Sequence, residues 1–172
     1  MQIDKKSEFG VWNKLYKREF VISHNLKFSD MKLAEDQSFC FGCLVNAEKY
    51  VILPGEWYIY RISGDSLSRG KKSPEFMIKV LESEALIWDT IYSYVKDNEF
   101  AQSNLKLVRE AAAYIIKCVD DGFAVPTVRD VGLDALKECE SVNNAFAEFF
   151  GNNAELMKWQ FYKAHEKVLD EE

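Results

Sequence analysis

Two adjacent carboxylates, Glu35 and Asp36, precede an apolar run in the stretch LAEDQSF at residues 33–39. A carboxylate within hydrogen-bond reach of a hydroxyl can accept its proton, so the pair is a candidate for general base catalysis. Acids in the first turn of a helix also have a purely structural role, because they stabilise the helix dipole by about 0.3–1 kcal/mol. The residues alone leave both interpretations open.

The nearby cysteines, Cys40 and Cys43, form a C-x-x-C pattern. A structural zinc site requires four ligands, and no second cysteine pair or neighbouring histidine accompanies this one. A redox pair is expected to open a helix, whereas these two fall within an apolar helical face. We therefore expect packing residues and no metal site. His24 and His165 are isolated in the sequence, and we interpret both as surface or capping residues.

The charge distribution argues against nucleic-acid binding. The net charge is −6, with 12 Lys and Arg against 9 Asp and Glu in residues 1–72, and 10 against 19 in residues 73–172. A nucleic-acid surface needs a dominant basic face. Residues 1–8 lack the apolar core of a signal peptide, and no run approaches the roughly 20 apolar residues of a membrane span. We expect a cytoplasmic protein, at most peripheral to the inner face of a membrane.

The spacing of apolar residues organises the chain into two parts. In residues 1–72 it predicts short helices over 11–19 and 33–47 and β-type runs over 49–53 and 57–62, with the turn signal Pro54-Gly55 between the runs. Residues 73–172 are predicted to form about four helices, the first opening at Ser73-Pro74-Glu75. The second is expected to stop at residues 120–122, and Thr127 and Asp130 are candidate caps of the third. We therefore expect two domains, 1–72 and 73–172.

Three blocks of sequence carry a resemblance to a known family. VWNKLYKREFVISHNLKF at 11–28 is similar to a block V-W-N-K-L-[YF]-[KR]-[RK]-x-[FL] with a later N-L-x-F, and EDQSF at 35–39 is similar to E-D-x-x-F. WYIYRISGDSLSRG at 57–70 is similar to Y-x-Y-R-x-x-x-x-S-[IL]-S. In this order the blocks resemble the C-terminal half of the catalytic domain of family 2 glycosyltransferases, the inverting GT-A type that builds bacterial surface polysaccharides.

The resemblance implies sugar transfer from a nucleotide-diphosphate sugar to an acceptor hydroxyl of a saccharide or lipid-linked acceptor. It assigns Asp36 as the catalytic base, and it implies that Tyr60, Arg61 and Ser66 hold the departing diphosphate. The full set of matched positions expected to contact substrates is Trp12, Lys14, Glu35, Tyr60, Arg61 and Ser66.

The sequence also departs from the family pattern. The family's donor-binding half carries a D-x-D motif that holds Mg²⁺ or Mn²⁺ on the diphosphate, and no D-x-D occurs in these 172 residues. We therefore expect no cofactor in this chain itself and no activity until a complementing N-terminal half is supplied. The alternatives are a non-catalytic helical interaction module and an unrelated small α/β protein whose motif matches arise by chance.

These inferences define an expected fold. It is a helix-dominated α/β chain, the C-terminal part of a GT-A domain with few strands, followed by a helical tail. Two strands are too few to form a stable sheet unaided, so surface that would face further strands should stay exposed. We expect such exposure among Trp12, Phe39 and Trp57, and homo-oligomers as one consequence.

Overall fold

The computed structural model describes residues 10–55, 57–59, 61 and 69–166. Within these ranges the expected α/β fold is wrong, because the regular elements are helices and no strand is present. The helices are α1 (Arg18–Ser23), α2 (Glu35–Asn46), α3 (Pro74–Val95), α4 (Glu99–Ser103), α5 (Leu105–Val119), a π-helix (Asp120–Ala124), α6 (Val125–Val131), α7 (Leu133–Glu138), α8 (Glu140–Phe150), a 3-10 turn (Gly151–Asn153) and α9 (Ala154–His165).

The two predicted β-type runs show why the α/β expectation fails. Residues 49–53 and 57–59 are non-helical, but among the described residues none from 48 to 59 makes a backbone–backbone hydrogen bond. Strand geometry is stabilised by pairing, and three or more strands are normally needed. Residues 49–53 and 57–59 thus contain residue types that favour strands, but among the described residues they have no paired strand.

The two N-terminal helices differ in how well the sequence predicts them. The helix predicted over 33–47 is present as α2, whereas the one predicted over 11–19 begins only at Arg18. Lys17 is extended there, with φ −67° and ψ 127°. Ala34, directly before α2, is left-handed with φ 64°. That conformation is unfavourable for any residue with a Cβ atom, so it fixes a sharp entry into α2.

The chain divides into two compact units. Unit 1 comprises Met1–Ile62 and Ile87–Ile115, and unit 2 comprises Ser63–Leu86 and Ile116–Glu172. The chain passes from one unit to the other at three places: between Ile62 and Ser63, within α3 between Leu86 and Ile87, and within α5 between Ile115 and Ile116. The predicted domain boundary at residue 72 remains a prediction.

Unit 1 is built around a small aromatic cluster. Phe39 stacks on Phe28 with ring centroids 4.4 Å apart and meets the edge of Tyr16 at 5.3 Å. The Tyr94 hydroxyl donates to the Lys27 carbonyl at 3.0 Å, and the Tyr94 ring lies so close to Gly42 that a Cβ there would be 2.7 Å from it. Phe39 is therefore core, and its expected exposure is wrong.

Unit 2 is a set of short helices around a buried aromatic residue, Phe146. Its ring lies 5.8 Å from that of Phe161 and 6.0 Å from that of Tyr162. The Tyr162 hydroxyl donates to the carbonyl of Leu136 at 3.2 Å and so joins α9 to α7. Fully buried apolar side chains of the unit include Met77, Val80, Leu81, Val119, Val128, Leu136 and Val142.

Two details of unit 2 differ from the sequence prediction. The helix expected to stop at residues 120–122 instead continues through the π-helix Asp120–Ala124 into α6, and Gly132 (φ 93°) separates α6 from α7. Thr127 and Asp130, considered as helix caps, have other partners: Thr127 donates to the Phe123 carbonyl, and Asp130 accepts from the backbone N–H of Lys72.

A helix that crosses a bilayer must be both long and apolar. None of the helices in the described part of the chain combines the two properties. The longest, α3, has 22 residues but carries charged side chains along its length.

Candidate functional site

The first turn of α2 presents Asp36 in a partly buried position. The chain enters this helix through the left-handed Ala34, which is itself buried and therefore fixed. The Oδ1 atom of Asp36 accepts a hydrogen bond from the backbone N–H of Gln37 at 2.8 Å. The helix start thus orients the carboxylate, as both interpretations of the acidic pair require.

The environment of Asp36 raises the affinity of its carboxylate for a proton. Burial raises the pKa of this carboxyl above its usual 3.8, and the neighbouring charge of Glu35 raises it further. The Gln37 N–H and the charge of Lys14 act in the opposite direction but do not cancel the rise. A carboxylate with a raised pKa is a better proton acceptor than an exposed one.

Lys14 is the cation whose charge acts on this carboxylate. Its Nζ atom donates to the Gly10 carbonyl at 2.6 Å and to Oδ1 of Asn13 at 3.0 Å, so the side chain is anchored locally. Its charge lowers the pKa of both Asp36 and Cys40. The first and second sequence blocks meet in space at another pair, where the ring centroids of Tyr16 and Phe39 lie 5.3 Å apart.

The first and third blocks meet through aromatic rings. Trp12 lies against Tyr58, with ring centroids 5.0 Å apart and planes inclined by 36°. Arg61 is exposed and makes no hydrogen bond or ion pair with another described residue, and Glu35 is exposed at the helix start. Tyr60 and Ser66 lie outside the described residues.

A buried polar contact lies one turn beyond Asp36. The Tyr16 hydroxyl and the Cys40 thiol are 3.3 Å apart, and burial raises the pKa of both groups. Burial also raises the pKa of Cys43 to about 12. Both cysteines are free and buried, so their environment keeps them as thiols and suits packing instead of redox chemistry.

Unit 2 holds a titratable cluster that the sequence interpretation missed. Nδ1 of His165 lies 2.7 Å from the Phe161 carbonyl and Nε2 lies 2.9 Å from Oδ1 of Asp120. Burial lowers the pKa of His165, but the hydrogen bonds of its ring to Asp120 and Phe161 have the larger effect, so the pKa is raised overall. The pKa of Glu84 is raised to about 7. Burial is the main cause, the negative charge of Asp120 adds to the rise, and the charge of His165 opposes it.

Interpreting His165 as a surface or capping residue was wrong, since only 2% of it is exposed. His24, by contrast, is exposed and forms the C-cap of α1. One sequence signal was available for the cluster. Glu84 follows the buried Val80 by four positions and precedes the buried Ile87 by three, so it lies on the apolar stripe of α3.

Metal binding finds no support in the side chains that the structure describes. Among them, no group of three or more His, Cys, Asp or Glu is placed to hold a metal ion. These residues therefore do not fit the Mg²⁺ or Mn²⁺ that the resemblance associates with the complete enzyme.

Comparison with known proteins identifies no family for this chain. Neither protein-family models, nor curated proteins, nor solved structures give a match. The functional assignment therefore depends on the sequence blocks and on the geometry around Asp36.

Proposed function

We propose that this chain supplies the acceptor-activating part of an inverting glycosyltransferase that moves a sugar from a nucleotide-diphosphate sugar to an acceptor hydroxyl in surface polysaccharide synthesis. The observation that carries the proposal is the partly buried Asp36 carboxylate at the start of α2, with a raised pKa and with Lys14 from the first sequence block near it. The order of the three sequence blocks supports the same assignment.

In the proposed reaction, Asp36 acts as general base. Its carboxylate accepts the acceptor hydroxyl proton while the hydroxyl oxygen forms a bond to the anomeric carbon. The bond from that carbon to the diphosphate oxygen breaks, and the diphosphate departs with the electron pair. Attack from the face opposite the leaving group inverts the configuration at the anomeric carbon.

The other predicted residues have supporting roles in this proposal. Trp12 and Tyr58, already in ring contact, offer an apolar surface for a sugar ring. Lys14 opposes the rise in the pKa of Asp36, because its positive charge favours the ionised carboxylate. Glu35 is exposed beside the base and would bind acceptor hydroxyls. Tyr60, Arg61 and Ser66 keep the role of diphosphate contacts that the resemblance implies.

Donor binding is the part of the reaction that these 172 residues do not account for. They contain no D-x-D motif, and the described residues offer no metal site. We therefore assign the donor and its divalent cation to a further polypeptide segment, and we expect transfer only in its presence.

The test is to fuse the chain to a donor-binding segment that carries a D-x-D motif and to assay transfer from a panel of UDP-sugars with Mn²⁺. Asp36→Asn should lower turnover by about 10²–10⁴-fold, the usual contribution of a general base. Glu35→Gln is the comparison variant: it removes the adjacent, exposed carboxylate, which this proposal places against the acceptor, so it should raise the KM for the acceptor and lower turnover far less than Asp36→Asn does. Full turnover in Asp36→Asn, with donor binding intact in both variants, would exclude Asp36 as the base.

A second candidate, a non-catalytic helical interaction module, is favoured by one observation. Large apolar side chains are exposed between residues 50 and 59, as is typical of a binding surface. The fusion assay separates the two: no transfer with any UDP-sugar, despite donor binding, favours the interaction module.

A further inference from the structure

A groove of about 410 Å³ lies within unit 1, between residues 24–29 and the last two turns of α3. This volume falls in the range of about 300–1,000 Å³ that small-molecule sites occupy. The residues that line the groove include none of those assigned to sugar transfer. The groove is therefore a separate candidate for ligand binding.

Two side-chain contacts join the walls of the groove. The Tyr94 hydroxyl on α3 donates to the carbonyl of Lys27 at 3.0 Å. The hydroxyls of Ser29 and Thr90 lie 3.0 Å apart and form the second contact. Leu26, on the same wall as Lys27, is buried in the core of unit 1. The folded unit therefore fixes the shape of the groove.

The lining of the groove contains basic side chains and no acidic ones. Lys27 and Lys96 line it together with His24, and none of the described lining residues is Asp or Glu. Among the described residues, the side chains of the two lysines make no ion pair or hydrogen bond. A concave surface lined by charge of one sign concentrates ions of the opposite sign. The groove therefore attracts anions.

The C-terminal end of α3 acts against this attraction, because a helix end of this kind carries roughly half a negative charge. Its last carbonyls are occupied, however. The Gln102 amide donates to the carbonyl of Val95 at 3.2 Å and to that of Lys96 at 3.1 Å. Since the two lysines carry two full positive charges, the groove still favours an anion.

The types of donor in the groove favour a phosphate group over a carboxylate. Lysine binds phosphate as a point charge, whereas a planar carboxylate is matched best by the fork of an arginine, and no arginine is among the described lining residues. The contact between Ser29 and Thr90 uses one of their two hydroxyl hydrogens, so the other can be donated to a phosphate oxygen. The rings of Tyr94 and of Phe28, which is 53% exposed, line the same groove and offer a surface to an organic group.

We propose that this groove binds the phosphate group of a phosphate ester, with Lys27 and Lys96 as the charged contacts and Phe28 against the organic group. A soluble phosphate ester and the headgroup of a phospholipid share this chemistry, and the test below separates them. The proposal is independent of the glycosyltransferase assignment, because it involves none of the residues of that site.

The test is an NMR titration of the full chain, with no donor-binding segment and no Mn²⁺, against inorganic phosphate and phenyl phosphate. Both should cause saturable shifts of the backbone amides in residues 24–29 and 90–96, and phenyl phosphate should bind more tightly. A second arm measures co-sedimentation with phosphatidylcholine vesicles, with and without phosphatidic acid. Saturable shifts from the soluble probes identify a phosphate ester as the ligand, whereas binding only to phosphatidic acid identifies a lipid headgroup.

Three substitutions connect the binding to the groove. Lys27→Gln and Lys96→Gln should each weaken the binding of phenyl phosphate by about tenfold, the usual loss of a hydrogen bond to a charged group. Lys32→Gln is the matched control, because Lys32 is exposed in the same unit but does not line the groove. The proposal is overturned if neither the soluble probes nor phosphatidic acid bind, if the shifts lie outside the groove, or if Lys32→Gln weakens binding as much as the other two.

Discussion

The two units each contain a partly buried acid, and these acids differ in how their charge is balanced. Asp36 in unit 1 accepts a hydrogen bond from the adjacent backbone N–H and feels the charge of Lys14. Asp120 in unit 2 faces the ring of His165, whose other nitrogen faces the Phe161 carbonyl. Both ring nitrogens thus point at acceptors, an arrangement that favours the doubly protonated imidazolium. The acid of unit 2 is thus paired with a cationic ring, whereas that of unit 1 is bound by a backbone N–H; its role in chemistry is part of the proposed function.

The largest change in stability is expected from removing His165. His165→Ala should lower the free energy of unfolding by about 3–5 kcal/mol, because it removes a buried ring and leaves the partly buried carboxylate of Asp120 without its cationic partner. Urea unfolding at pH 6 measures the change. The control is His24→Ala, which removes an exposed histidine and should change the free energy by less than about 0.5 kcal/mol. Equal effects of the two substitutions would mean that the cluster does not stabilise unit 2.

The pH dependence of stability sharpens the same comparison. Glu84 has an ordinary pKa of 4.5 and a folded pKa of about 7, so between these values the unfolded chain releases a proton that the folded chain retains. Stability should therefore fall as pH rises from 4.5 to 7, by at most about 1.4 kcal/mol per pH unit.

The substitution Glu84→Gln isolates this contribution. It should flatten the fall between pH 4.5 and 7, leaving the loss that follows when His165, with its raised pKa, loses its proton at higher pH. An unchanged pH profile in Glu84→Gln would show that Glu84 ionises as an exposed acid does.

Substitutions at two glycines, one in each unit, compare how tightly the two units are packed. A Cβ at Gly42 would lie 2.7 Å from the ring of Tyr94, whereas one at Gly122 meets nothing within 4 Å. Gly42→Ala should therefore destabilise the protein by about 1–3 kcal/mol as Tyr94 is displaced. Gly122→Ala should be neutral or stabilising by up to about 1 kcal/mol. Thermal unfolding of both variants measures this, and a neutral Gly42→Ala would mean that the Tyr94 contact is easily rearranged.

The smallest effect concerns the stability cost of the proposed base. Because the folded pKa of Asp36 is raised, ionisation at neutral pH destabilises the fold, and stability falls as pH rises from the unfolded pKa through the folded one. Asp36→Asn should raise the free energy of unfolding at pH 7 by a small amount, because it removes an ionisation that burial opposes. Glu35→Gln, at the exposed neighbour, should instead lower it by about 0.3–1 kcal/mol, the usual contribution of an acid in the first turn of a helix. Destabilisation by Asp36→Asn would show that the carboxylate is a structural cap.

The sequence predicts elements whose causes are local and fails where the causes are distant. The start of α2 is predictable because Glu35 and Asp36 open an apolar run. The β-type runs are wrong because strand formation depends on partners that local sequence does not specify. His165 and Asp120 are separated by 45 positions, so no local spacing reveals their contact.

The candidate site, too, is predictable from local sequence only in part. Lys14, Asp36 and Trp12 are assigned by a resemblance of sequence blocks, and the contact of Trp12 with Tyr58 joins two of those blocks in space. The raised pKa of Asp36 depends on its burial in the folded chain, which residue types alone do not determine.

The central claim is that the folded chain holds Asp36 as a carboxylate with raised proton affinity, and its titration tests this most directly. The side-chain ¹³C shift of Asp36, followed by NMR against pH, should give a pKa above 3.8, and Lys14→Met should raise it further by removing a charge that lowers it. A pKa at or below 3.8, unchanged by Lys14→Met, would contradict the account.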